Sequence, residues 1–420
     1  MDKYRIIGPN RLIGELEIDG AKNAALPIFC GSLLTSDPVF ISNVPKLKDV
    51  ETLLKLFSEL GVSIELNSST ATCGLQTASI SSLEAPYELV KTMRASILVL
   101  GPLLARFGEV KVSLPGGCAI GNRPIDQHIK AFESMGAKVT LVDGYIHAKC
   151  RKLNGSRIKN DMVTVTGTEN IMMAACLAEG ETIIENAARE PEVVDLAIFL
   201  KSMGARISGE GTDVISILGV KKLFGAEHKI ISDRIETGTF ICAIAACGGD
   251  VFLRNANINS IGVTVTKLRQ SGTDISVDKE GLTVTSKGKP ESVSVKTAPF
   301  PGFATDMQAQ IMAVNLVSNG TARITENIFE NRFMHVQEMK RLGAHIKVNG
   351  NTAVVTGRER LCGAEVMATD LRASAGLVIA GLVAEGETVI DRIYHLERGY
   401  ADMDKKLANL GADVLRVNQC

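Results

Sequence analysis

LFSELGVSI, residues 56–64, carries the pattern on which the fold turns: the end of an amphipathic helix, a glycine, and the opening of a strand. A glycine closing a helix supplies the left-handed conformation that other residues resist, and apolar alternation after it marks a half-buried strand. The same phrase recurs as AFESMGAKV (131–139), FLKSMGARI (199–207), KLRQSGTDI (267–275), EMKRLGAHI (338–346) and KLANLGADV (406–414). The six glycines, Gly61, Gly136, Gly204, Gly272, Gly343 and Gly411, lie 75, 68, 68, 71 and 68 residues apart. Such regularity means one supersecondary unit used six times.

Each unit has an earlier helix as well, beginning near Lys22, Thr92, Thr168, Thr237, Asp306 and Asp370. The bodies of these helices are apolar and rich in small residues, as in ASILVLGPLLA (95–105), FICAIAACG (240–248) and ASAGLVIAGLVA (373–384). Helices apolar all round belong inside a core. The expected unit is therefore apolar helix, strand, amphipathic helix, strand. Six units divide into two domains of three, with the halfway point near His228 to Asp233. Each domain wraps its sheets around a bundle of buried helices, and a ligand is expected in the cleft between the domains.

The 420 residues are too many for one ordinary core, and 45% of them are hydrophobic. A net charge of −1 excludes a general basic surface for nucleic acid, so an anionic ligand needs a local cluster of Lys and Arg. There is no Trp, and the low aromatic content argues against stacking platforms for single strands. Nine cysteines stand without CxxC pairs or histidine partners at zinc spacing, which excludes a disulfide framework and fits a reducing compartment. Cys176, Cys242 and Cys247 lie in apolar helical runs as packing residues. The opening MDKYRIIGPNRLIGELEIDG alternates like strands and lacks the layout of a signal peptide, and no apolar run is long enough to span a bilayer. The expectation is a cytoplasmic protein that engages neither membrane nor nucleic acid.

Two features carry chemistry. The first is the set of buried-helix starts: Lys22 and Asn23, Arg94, Asp306, and Arg372. Helix N-termini favour phosphate and carboxylate groups. Asp306 and Asp370 suit a helix start as simple caps. Arg94 and Arg372 do not, because a cation at the positive end of a buried helix needs an anion with it. The second is LPGGCAIGNRPIDQH (114–128), where Gly116 and Gly117 precede Cys118 and Arg123 follows five residues later. A thiol beside a guanidinium favours its thiolate. Alone, the loop admits two readings, a reactive thiol or a surface turn with an incidental cysteine.

The loop, GAKNAALPI (20–28), TMRASILVLGPLLARFG (92–108), ENAAREPEVVD (185–195), DRIETGTF (233–240), APFPGFATDMQAQ (298–310), ENIFENRFMHV (326–336), DLRASAGLVIAG (370–381) and RGY (398–400) together resemble the UDP-N-acetylglucosamine 1-carboxyvinyltransferase family of the EPSP synthase superfamily. Nine motifs in order span essentially the entire chain. The resemblance implies two inside-out α/β barrel domains, residues 22–230 and residues 1–21 with 231–420, and an active site between them. It implies transfer of the enolpyruvyl group of phosphoenolpyruvate to the 3′-hydroxyl of UDP-N-acetylglucosamine with release of phosphate, the committed step of peptidoglycan and cell-wall synthesis. No metal or organic cofactor is implied.

By resemblance, Cys118 is the proton donor on a mobile loop and the thiol that fosfomycin alkylates, and Asp306 is the base for the sugar hydroxyl. Lys22, Asn23, Arg123, Arg332, Arg372 and Arg398 match the phosphoenolpyruvate ligands, the arginines suiting a carboxylate or phosphate with two oxygens at once. Asn23, Arg94, Arg123, Pro124, Ile125, Asp126, Gln127, Asp306 and Ile328 match the sugar-nucleotide positions. Glu190 and Glu236 lie in matching motifs and are given supporting roles. In one place the chain departs from the pattern: Met162 stands where some members of the family have a lysine, which weakens any carry-over across 162–166, including Val165.

Two rival readings exist. The sister enzyme that acts on shikimate 3-phosphate shares the architecture, but it typically has a serine- and lysine-rich phosphate turn near its start in place of GAKNAALP. A non-catalytic sugar-nucleotide-binding paralogue is disfavoured by the intact Lys22, Cys118, Asp306 and Arg398.

Overall fold

A computed structural model of the chain describes residues 2–91, 93–114 and 125–418. Its six four-stranded sheets all have the same strand order. In one of them, Arg157–Lys159 runs parallel to Glu181–Glu185 with Ile158 opposite Ile184. Glu181–Glu185 is antiparallel to Val214–Leu218, which pairs in turn with Arg206–Ser208. The parallel pair flanks the buried helix Val165–Ala175, since parallel neighbours need a crossover. The amphipathic helix Pro191–Ser202 leads into the antiparallel hairpin.

Each unit is thus richer than the expected helix–strand–helix–strand. A second strand follows the amphipathic helix, and a short one precedes or joins the buried helix. The extra strands are brief, three residues in Arg157–Lys159 and two in Glu84–Ala85, too short for an alternating pattern to register.

The six repeat glycines have φ between +88° and +100°. At Gly61 the chain turns so that Val62 donates to the carbonyl of Phe57, closing the last helical turn.

The buried helices start close to their expected places. Val165–Ala175 begins behind Thr164, whose hydroxyl accepts from Gly167 at 3.2 Å, three residues before the expected Thr168. Arg234–Cys247 begins behind Asp233, whose carboxylate accepts from Ile235 at 2.7 Å and Glu236 at 3.2 Å, three residues before Thr237. The second and fifth are broken helices. Arg94–Val99 and Thr305–Met307 are 3₁₀ turns that pass into the α-helices Leu100–Phe107 and Gln308–Leu316. Pro102 accounts for the first break, because its ring cannot donate to Leu98 and crowds that carbonyl. Thr92 lies outside the described residues.

The chain divides into two units. One takes the residues up to Asp19 and from Ser232 onward, and the other runs from Gly20 to Ile231, with residues 115–124 set aside. In the first, helices Arg234–Cys247, Gln308–Leu316 and Leu371–Val383 pack on one another. Every residue from Ile235 to Ala246 is buried. Thr237 and Thr239 satisfy their hydroxyls on carbonyls one turn back. At Gly376 an added Cβ would stand 2.8 Å from the carbonyl oxygen of Ala309, so glycine there lets two helices approach closely. In the second unit Val165–Ala175 packs against both Lys22–Ser32 and Leu100–Phe107. Helices inside and sheets outside make each unit an inside-out α/β assembly.

Strands early in the sequence complete the first unit. Lys3–Gly8 lies between Gly386–Asp391 and Asp413–Val417, and Leu12–Glu17 runs parallel to Gly249–Arg254. In the second unit Glu227–Lys229 closes back onto Val39–Ser42. Cys176 and Cys242 are buried, and burial pushes the thiol of Cys176 up to about 12. No helix among the described residues is long and apolar enough to cross a membrane.

Candidate active site

The Gly20–Ile231 unit holds Lys22, Asn23, Arg94, Ile125, Asp126 and Gln127. Lys22 opens helix Lys22–Ser32 and is buried, and its ammonium sits 3.1 Å from the carboxylate of Asp49, which is also buried. Asn23 follows, half-buried. Pro27, four residues on, has no N–H to offer the Asn23 carbonyl, so that oxygen lacks its helical partner. Arg94 is half-buried at the start of its 3₁₀ turn. Burial, and then the Arg94 charge, press the imidazole of His128 down to about 4. His128 is held neutral there through Nδ1, 3.0 Å from the Asn170 amide.

Asp126 begins helix Asp126–Ser134 and pairs at the surface with Lys130. Gln127 is buried, and its Oε1 accepts from the backbone of exposed Met162 at 3.3 Å. Gln127 and Lys130 border a groove of about 540 Å³ that is also lined by Ser134, Arg157, Lys159 and Asp161. Cys118, Arg123 and Pro124 lie outside the described residues.

The other unit gathers Asp306, Arg332 and Arg372 into one cluster. Asp306 stands in the turn Thr305–Met307. Its Oδ1 accepts from Nη2 of Arg332 at 2.9 Å and its Oδ2 from Nε of Arg372 at 3.2 Å. Both arginines are almost wholly buried, whereas the Asp306 side chain keeps 27% of its exposure. Burial opposes the charge of Arg372, but Tyr400, Asp306 and Asp233 outweigh it and keep the guanidinium protonated. Two guanidiniums share this carboxylate, and Nη1 of each has no partner among the described residues. A buried donor without a partner costs about 1–3 kcal/mol, which an arriving anion recovers. Arg398 ends the 3₁₀ turn Ile393–Arg398, half-buried, two residues before Tyr400.

Ile328 is half-buried in a turn organised by Glu326. Glu326 Oε1 accepts from the backbone of Ile328 at 2.8 Å and of Phe329 at 3.2 Å, and Oε2 accepts from the hydroxyl of Thr305 at 2.8 Å. One buried carboxylate thereby fixes both the Ile328 turn and the residue next to Asp306.

A family model described as EPSP synthase (3-phosphoshikimate 1-carboxyvinyltransferase) matches residues 6–407. The chain belongs to the EPSP synthase family. It is an enolpyruvyl transferase by that membership. Its fold is similar to that of the enolpyruvyl transferase NikO from Streptomyces tendae, at 23% identity and a TM-score of 0.89 over 99% of this chain and 98% of the other. It is also similar to EPSP synthase from Acinetobacter baumannii, at 18% identity and a TM-score of 0.79 over the full length of both.

Within this family frame, sequence reading missed the residues that act through others. Asp49, partner of Lys22, sits in the first turn of helix Lys48–Leu60, where an acidic residue passes for dipole compensation. Glu326 and Tyr400 both lie in quoted motifs, yet Thr305, which Glu326 holds, is 21 positions away in sequence, and Thr239, which Tyr400 meets, is 161 away. Glu190 is buried at the start of Pro191–Ser202, and Glu236 is buried against Lys406 and Asp19. Among the described residues no cluster of three or more His, Cys, Asp or Glu side chains is placed to hold a metal ion.

Proposed function

We propose that the chain transfers the enolpyruvyl group of phosphoenolpyruvate to the 3′-hydroxyl of UDP-N-acetylglucosamine, releasing phosphate, as the committed step of peptidoglycan synthesis. The observation that carries the donor half of this reading is the convergence of Arg332 and Arg372 on Asp306, with Nη1 of each lacking a partner among the described residues and so able to meet a carboxylate. The acceptor half rests on sequence: GAKNAALP at 20–27 and the cysteine loop at 114–128 resemble the sugar-nucleotide enzymes rather than the shikimate enzymes.

The reaction is an addition followed by an elimination. The acceptor hydroxyl attacks C2 of phosphoenolpyruvate while C3 takes up a proton, so a C–O bond forms and the C2–C3 double bond is spent. The C2–O bond to phosphate then breaks, phosphate leaves with the electron pair, and loss of a C3 proton restores the double bond. Asp306 takes the hydroxyl proton and Cys118 delivers the proton to C3. Arg332 and Arg372 hold the carboxylate; Lys22, Arg123 and Arg398 hold the phosphate and stabilise the charge it gains on leaving. Asn23, Arg94, residues 123–127 and Ile328 hold the sugar nucleotide.

The deciding assay is phosphate release from phosphoenolpyruvate, with UDP-N-acetylglucosamine or shikimate 3-phosphate as acceptor, for wild type and Cys118→Ser. Release that requires the sugar nucleotide and falls at least a hundredfold in the variant is expected. Release that requires shikimate 3-phosphate overturns the acceptor assignment, and no release with either overturns the transferase reading.

A further inference from the structure

The RGY motif at 398–400 contributes Arg398 to the proposed phosphate ligands, which leaves Gly399 and Tyr400 without a role. Tyr400 is buried, and its ring lies under the guanidinium of Arg372 with 5.4 Å from the ring centre to Cζ. Its hydroxyl is 2.8 Å from that of Thr239 on helix Arg234–Cys247 and accepts from the amide of Gln310 on helix Gln308–Leu316 at 3.1 Å. The same amide reaches Thr239 at 3.1 Å. Gly399 passes so close that an added Cβ would lie 2.4 Å from Leu371 and 3.3 Å from Nη1 of Arg372. The segment that carries Arg398 is therefore folded directly over Arg372 and pinned to two other helices by one phenol oxygen.

This polar thread crosses the packed core of three helices. Gln310 is fully buried, with Oε1 left without a partner among the described residues. A polar network with an unmet acceptor is worse for stability than an apolar core, so stability does not explain it. Orientation does. Asp306 bonds Arg372 through Nε alone, so the far edge of the guanidinium is set by what packs on it. The Tyr400 ring fixes its plane from below, and the hydroxyl fixes the ring.

We infer that Tyr400 is a positioning residue that sets the orientation of Arg372, and with it the spacing of Arg372 from Arg398, for capture of a small phosphorylated carboxylate. This rests on the proposed phosphoenolpyruvate role of the two arginines.

The test compares full-length Tyr400→Phe and Thr239→Val with wild type in steady-state assays and in calorimetric titration with phosphoenolpyruvate alone. Tyr400→Phe keeps the ring and removes the anchor; Thr239→Val removes one anchor partner and keeps the tyrosine. Each is expected to raise KM for phosphoenolpyruvate about five- to tenfold, the weight of one hydrogen bond. KM for the acceptor should stay within twofold, and the double variant should be no worse than Tyr400→Phe alone, because both act on one thread. If wild type binds and turns over phosphoenolpyruvate and both variants keep its KM while losing Tm, the network only holds the core and the inference falls alone. If wild type neither binds nor turns over phosphoenolpyruvate, the reading beneath it falls as well.

Discussion

Glu236 shows how one side chain ties chemistry to stability in this fold. It is wholly buried, takes an N–H from Asp19 at 2.8 Å, and meets the ammonium of Lys406, with Asp233 nearby on the same helix start. Burial raises it, Lys406 opposes, Asp19 raises it again, and the outcome is a carboxyl moved from the ordinary 4.5 to about 7. A folded-state value above the unfolded one means that the folded chain holds the proton more tightly. The group's contribution is therefore full below about pH 4.5 and is lost as pH rises through 7. The span is on the order of 3 kcal/mol. Wild type should lose Tm steadily between pH 5.5 and 8, and Glu236→Gln should flatten that slope; parallel melting curves would refute this account. Among residues at helix starts, Asp306 read as an ordinary cap, whereas Arg94 and Arg372 were legible in sequence because a cation at the positive end of a buried helix is unusual. Tyr400, Glu326 and Asp49 were not, because each is defined by a partner that only folding supplies.

At the scale of elements, the helix-closing glycine is the feature that sequence conveys best, since one backbone conformation serves six places. Gly343, at φ +88°, has no atom of the described residues within 4 Å of where a Cβ would be, so substitution there reads backbone strain without a clash. Gly343→Ala should cost about 1 kcal/mol and Gly343→Asn less, as measured by urea denaturation at unchanged m-value. Equal costs for the two would mean that the left-handed turn does not set the penalty. The buried helices were equally legible from their all-round apolarity. Their exact starts were not. The break at Pro102 could be foreseen from the ring, but the 3₁₀ turn at Thr305–Met307 has no proline to announce it. The two-residue strand Glu84–Ala85 left no periodic trace at all.

At the scale of the whole molecule, the six-fold repeat conveyed the architecture, while the place of the first residues came only by resemblance. Lys3–Gly8 and Leu12–Glu17 fill positions in two different sheets of the unit that otherwise starts at Ser232. Tyr4, Ile6, Leu12 and Leu16 from these strands are buried in its core. Removing residues 1–18 should therefore expose the edges of Gly386–Asp391, Asp413–Val417 and Gly249–Arg254 and the core behind them, giving an aggregating protein. The Gly20–Ile231 unit draws none of its described strands from that segment. Limited proteolysis of the truncated chain should accordingly leave a resistant fragment near residues 20–231. Digestion of the whole chain at one rate would count against independent units.

The pairing of Tyr4 with Arg416 also has a bearing on how the chain is made. About four hundred residues separate them, and ribosomes add roughly 5–20 residues per second, so the first strand emerges roughly 20–80 s before its last neighbour exists. The Gly20–Ile231 unit meets no such delay, because all its strands have been synthesised by residue 229. Each new molecule therefore carries Leu12–Glu17 unpaired until Gly249–Arg254 is made, and Lys3–Gly8 unpaired until Gly386–Asp391 is made. Their protection in that interval falls to chaperones rather than to the fold.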